Sequence, residues 1–136
     1  MNAIRLVGLA IGLAVLVQPS FAKPETDRNA QPIHPPVPTY PVEAISKRLS
    51  GMCDMHFDVT PSGKVSNLRA KCTSPLFCKE SERAALEMKY TPKQSDNGPV
   101  WRYGVVYPLE YVIASTRPIH KGQPLEWCEV EEKAIS

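Results

Sequence analysis

Between residues 52 and 72 the chain alternates apolar and polar positions with period two. Cys53, Met55, Phe57 and Val59 fall on one side, and Asp54, His56 and Asp58 on the other; this is the pattern of a half-buried strand. Pro61-Ser62-Gly63 follows as a turn, proline pre-setting one φ and glycine taking the left-handed position. A loop of this kind sets Thr60 opposite Lys64 and Val59 opposite Val65. Past Val65 the apolar phase slips by one, to Leu68, Ala70 and Cys72, which is the effect of a β-bulge. Carried through the bulge, the pairing brings Cys53 opposite Cys72 at the open end of a hairpin, a spacing that suits a disulfide.

The period then changes. Ser74-Pro75 is a helix start, the serine capping free N–H groups and the proline suiting the first helical position. Phe77, Ser81, Ala84, Ala85 and Met88 recur on one helical face, with Lys79, Glu80, Glu82, Arg83, Glu87 and Lys89 opposite. Thr91-Pro92 stops this helix and residues 95–99 turn the chain. A shorter helix over 42–49 is opened by Tyr40-Pro41 and ended by Gly51. Residues 100–113 predict a third strand. Trp101, Tyr103, Val105, Tyr107, Leu109, Tyr111 and Ile113 share one face of it; Val100, Arg102, Gly104, Val106, Glu110 and Val112 share the other. Pro108 lacks an N–H, so this strand belongs at a sheet edge. The order strand, strand, helix, strand predicts an α+β fold: a three-stranded antiparallel-type sheet with one main helix on a face and a short N-terminal helix.

Composition adds a compartment. Arg5 precedes an apolar run over 6–17, and Ser20-Phe21-Ala22 offers small residues for cleavage. The run is shorter than the roughly 20 residues a membrane-crossing helix needs. Residues 1–22 therefore read as a signal peptide, with an uncleaved membrane anchor as the alternative. Residues 23–39, carrying Pro24, Pro32, Pro35, Pro36 and Pro38, read as a tether. One small domain over 40–114 and a tail over 115–136 complete the chain.

Export implies an oxidising space, so the four cysteines read as two disulfides. They allow three pairings. The hairpin favours Cys53–Cys72, leaving Cys78–Cys128 to pin the tail and bring Trp127 against the domain; Cys72–Cys78 with Cys53–Cys128 is the competing set. Their spacing lacks the close pairs of zinc sites. A formal net charge of +2 gives no basic footprint for nucleic acid. His56, between Asp54 and Asp58, reads as solvated; His34 lies in the tether and His120 in the tail. No catalytic constellation, metal site or cofactor site is indicated, and the chain does not read as an enzyme.

Taken together, Tyr40-Pro41, Gly51, Phe57-Asp58-Val59, Gly63, Ala84-Ala85-Leu86, Tyr90-Thr91-Pro92 and Gly98-Pro99-Val100 with the last strand resemble the TonB C-terminal domain family. The resemblance runs from residue 40 to about 113. It implies a periplasmic fold whose last strand pairs with a short peptide segment of an outer-membrane TonB-dependent receptor, in transport across the envelope. Two features differ from the family pattern: the N-terminus reads as a cleavable signal, not an anchor, and the proline-rich spacer is short. If Pro108 faces outward, its parity class faces outward with it, so Arg102, Gly104, Val106, Glu110 and Val112 would pair the visiting peptide. The alternative is a disulfide-stabilised structural envelope protein with the same fold, its edge strand covered by the tail and no energy transduction.

Overall fold

A computed structural model of the chain describes residues 31–114 and 122–130. The signal-peptide reading of 1–22, the first part of the tether, and tail residues 115–121 and 131–136 lie outside the described residues. The elements run α1 (Val42–Ser46), β1 (Gly51–Val59), β2 (Val65–Cys72), a 3-10 turn (Pro75–Phe77), α2 (Cys78–Leu86), β3 (Lys93–Ser95), β4 (Gly98–Val100), β5 (Arg102–Tyr111) and β6 (Glu126–Trp127). The class is α+β, but the strand count exceeds the three expected. One sheet has four strands in the order β5-β1-β2-β6, and β3 and β4 form a separate two-stranded ribbon.

The β1–β2 hairpin follows its sequence register. Cys53 faces Cys72 and Met55 faces Ala70, the pairing shifts between His56 and Asp58, and Val59 faces Val65. The bulge lies on β2, where Asn67 has φ 52°. Thr60 N–H donates to the Lys64 carbonyl at 2.9 Å. Gly63 closes the turn with φ 83°, and a Cβ there would lie 2.2 Å from the Tyr90 carbonyl oxygen. Only glycine lets the turn approach so closely, and Tyr90 N–H returns a hydrogen bond to the Gly63 carbonyl at 3.0 Å.

The helix starts where Ser74 predicts, its side chain accepting from Leu76 N–H at 3.3 Å. Its buried face is the expected one: Phe77, Ser81, Ala84, Ala85 and Met88 are all buried, against Cys53, Met55, Phe57 and Val59 of β1. The small alanine side chains let the helix axis approach the sheet, so a short helix covers it. The first helix ends earlier than Gly51. It stops at Ser46, and Arg48, with φ 51°, makes the reversal. Gly51 instead begins β1, where a Cβ would lie 2.2 Å from the Phe77 ring.

The third predicted strand is not continuous. The chain breaks at Trp101, so Gly98–Val100 folds back on Lys93–Ser95 and only Arg102–Tyr111 joins the main sheet. Within β5 the pairing to β1 shifts between Phe57 and Val59, and Gly104 takes φ 69°. This second bulge flips the face of everything before it. Val105, Leu109 and Tyr111 are buried as the alternation predicts, but Trp101 and Tyr103 are exposed and stack on each other at 5.8 Å.

Candidate functional site

The strand order makes β5 a sheet edge: among the described residues its strand partner is β1. The hydrogen-bond phase of β1 decides which way the β5 backbone points. Thr73 N–H donates to the Met52 carbonyl at 3.0 Å and Thr60 N–H to the Lys64 carbonyl, so even-numbered β1 residues turn their backbone groups toward β2. The Cα atoms of Cys53 and Cys72 are 4.1 Å apart, the close spacing of a non-hydrogen-bonded pair. Odd-numbered β1 residues therefore address β5. Their partners Val105, Tyr107 and Leu109 point back at β1, and Val106, Pro108 and Glu110 point away from it. Pro108, opposite Asp54, thus occupies a position whose N–H the internal ladder does not use.

The five residues expected to line the edge are not all in that row. Val106 and Glu110 are in phase, although the Val106 side chain is buried on the sheet's second face. Val112 follows the end of β5, half-exposed beside a pocket of about 420 Å³ lined by Tyr40, Ile45, Arg48, Val112 and Ile113. Gly104 sits in the bulge and donates its N–H back to Asp58 Oδ1 at 3.0 Å. Arg102, beyond the bulge, lies opposite Val59 and is out of phase with Val106. The glycine inside a strand pattern was the available signal for this bulge.

An aromatic cluster anchors the far end of β5. Phe77 stacks on Tyr111 at 4.6 Å, and Tyr40 meets both rings edge-on, at 6.0 and 5.5 Å. Tyr111 also shares a 2.7 Å hydrogen bond with Ser81, and Tyr40 O–H donates to the Leu49 carbonyl at 2.6 Å. Burial pushes the Tyr111 phenol above its ordinary value, the Ser81 hydrogen bond opposing the shift. These contacts pack the end of β5 against α2, the 3-10 turn and the segment at Tyr40.

The opposite edge is covered. Both disulfides of the favoured pairing are formed, Cys53–Cys72 and Cys78–Cys128. The second draws the tail onto β2, where Lys71 faces Trp127 and Cys72 faces Glu126, and Cys128 N–H donates to the Ala70 carbonyl at 2.8 Å. The described part of the tail therefore covers β2, not β5 as the alternative reading supposed. Trp127 lies on the domain as expected, with the Arg69 and Lys71 cations 4.6 and 4.4 Å from its ring centre and the His56 ring at 5.0 Å. His56 is consequently half-buried, which corrects its reading as solvated.

Part of the proline-rich stretch is also tied down. Ile33 N–H donates to the Lys89 carbonyl at 2.6 Å, Thr39 N–H to Glu80 Oε1 at 2.5 Å, and Arg83 to the Val37 carbonyl at 3.3 Å. Arg83 also binds Glu80 at 2.6 Å. Hydrogen bonding from Arg83, and then from Thr39, outweighs desolvation and holds the Glu80 carboxyl down at about 2.

The described residues thus form a small disulfide-braced α+β module whose main sheet has its β2 edge covered by the tail and β5 at its other edge. Residues 36–113 match the family described as Gram-negative bacterial TonB protein C-terminal, and the chain belongs to that family. It is 34% identical over 65 residues to Protein TonB of Escherichia coli (strain K12), a match covering 46% of this chain and 27% of the relative. The chain thus aligns with little more than a quarter of that protein. No helix among the described residues is long and apolar enough to cross a membrane.

Proposed function

We propose that this protein is an exported, periplasmic TonB-like binding module, not an enzyme, which pairs the β5 edge with an extended peptide segment of an outer-membrane TonB-dependent receptor. The observation that carries the reading is the position of β5: an edge strand in a TonB C-terminal fold, with the described tail drawn to the opposite edge. A visiting strand would exchange main-chain hydrogen bonds with Val106, Glu110 and Val112, leaving one gap at Pro108. The apolar pocket beside Val112 would receive one of its aliphatic side chains. Arg102 and Gly104 take a lesser part in this version of the interface, because the bulge turns them out of phase.

Amide shift mapping tests the proposal, using the isotope-labelled full chain and a synthetic peptide from the N-terminal segment of a TonB-dependent receptor. The largest perturbations are expected at 106–112. Perturbations confined to the β1–β2 turn or to the Trp127 side would sink the reading.

A further inference from the structure

The two disulfides are not independent. Cys72 Sγ of one lies 3.6 Å from Cys128 Sγ of the other, and the sulfurs of Cys72, Cys78 and Cys128 all lie within 4.8 Å of one another. The four sulfurs form a chain in the order Cys78, Cys128, Cys72, Cys53, graded in accessibility. Cys78 is part-exposed, Cys128 and Cys72 are nearly closed off, and Cys53 is fully buried. The outer end opens on a groove of about 750 Å³ between α2 and the tail, whose walls include Cys72, Cys78, Cys128, Leu68, Leu86 and Trp127. At the inner end, the Ser81 hydroxyl donates to Cys53 Sγ at 3.2 Å.

We propose that these four cysteines form a thiol–disulfide exchange site, through which a dithiol reductant entering the groove opens the buried hairpin bridge indirectly. A thiolate of the reductant bonds to Cys78 Sγ, and the Cys78–Cys128 bond breaks with its electron pair on Cys128. The Cys128 thiolate then bonds to Cys72 Sγ, at which it is already placed, and the Cys72–Cys53 bond breaks with its pair on Cys53. Ser81 offers the departing thiolate a hydrogen bond, and Cys53 takes a proton. The reductant's second thiol releases Cys78 and closes the oxidised dithiol. One bridge has been reduced by two electrons, thiols remain on Cys53 and Cys78, and the new bridge is Cys72–Cys128. Exchange proceeds by thiolate attack on a disulfide sulfur, and the separation between the bridges is close to sulfur contact distance. The product keeps the tail on β2 while freeing α2 from it, and it unlocks the hairpin's open end.

Replacing the outermost sulfur tests this without a reductant. In the full chain carrying Cys78→Ser, Cys128 begins as the thiol. After incubation at pH 8, acid quenching, alkylation and peptide mapping, the expected products include label on Cys53 and a Cys72–Cys128 linked peptide. Label on Cys128 alone at all times, with Cys53–Cys72 intact, would overturn the proposal. Limiting dithiothreitol on the unsubstituted chain covers failure of that variant to fold. The first two-electron-reduced species should then carry label on Cys53 and Cys78, and label on Cys78 and Cys128 only would overturn it.

Discussion

The Asp58 carboxylate accepts the Gly104 N–H on Oδ1 at 3.0 Å while its Oδ2 accepts the Asn67 side-chain amide at 2.9 Å. One side chain on β1 thereby ties both bulges, that of β2 on one side and that of β5 on the other. Each bulge leaves a residue out of the ladder, and Asp58 supplies a substitute acceptor. Asp58→Ala should destabilise the domain by about 1–3 kcal/mol, read as a lower denaturant midpoint, with the Gly104 amide exchanging faster. Asp58→Asn, which keeps an acceptor oxygen, should recover part of the loss. Equal midpoints for wild type and Asp58→Ala would show the bulges to be held by backbone alone.

Pro108 stands in the outward-facing phase of β5, so returning an N–H there should not disturb the internal ladder. Pro108→Ala should cost at most about 1 kcal/mol of stability, through the freer unfolded chain. It should also tighten receptor-peptide binding by roughly twofold to tenfold, the worth of one added hydrogen bond. Titration calorimetry beside thermal unfolding separates the two effects; a gain in stability with no tightening of binding would mean that the restored N–H faces β1 and the phase of β5 is the reverse.

The Cys78–Cys128 bridge closes a loop with sequence separation 50, for which chain entropy gives about 4 kcal/mol. Cys128→Ser should leave the β1–β2 hairpin folded and Cys53–Cys72 intact. The tail should become protease-sensitive and Cys78 should react with thiol reagents. A tail as protease-resistant as in the unsubstituted chain would show that the bridge is not what holds it, whereas label on Cys53 with Cys78 unlabelled would mark exchange of the freed Cys78 onto Cys72, whose sulfur lies within 4.8 Å.

Glu80 joins α2 to the proline-rich stretch, and its carboxyl is held down from an ordinary 4.5 to about 2. A carboxylate depressed in the folded protein stabilises fully above its unfolded value and loses that contribution as pH falls through the folded one. The contact at Thr39 should therefore persist above about pH 4.5 and be lost toward pH 2. Amide exchange at Thr39 followed through that range checks this. Glu80→Gln should give the acid-state exchange rate at neutral pH; if Thr39 stays protected in that variant, the carboxylate charge is not what holds the segment.

The hairpin, its bulge and the opposition of Cys53 to Cys72 were legible in the residues, because side-chain alternation and turn chemistry act over neighbouring positions. The capped start at Ser74 and the apolar face from Phe77 to Met88 were legible for the same reason. With Cys53 and Cys72 matched, the remaining pair followed; the competing Cys72–Cys78 bridge stayed open from spacing because both residues flank the Ser74-Pro75 turn, and their sulfurs do lie within 4.8 Å of each other. Tertiary structure decided the rest. The ribbon of Lys93–Ser95 with Gly98–Val100 carries no apolar alternation of its own and forms where the chain must reverse before β5. The bulge at Gly104 depends on how β5 meets β1, so it moved Trp101 and Tyr103 out of the core and Arg102 out of phase with the edge. The place of Trp127 over His56, Arg69 and Lys71, and of residues 31–39 along α2, depends on contacts between segments distant in sequence. No local periodicity encodes such contacts, because their partners become neighbours only once the sheet and helix have formed.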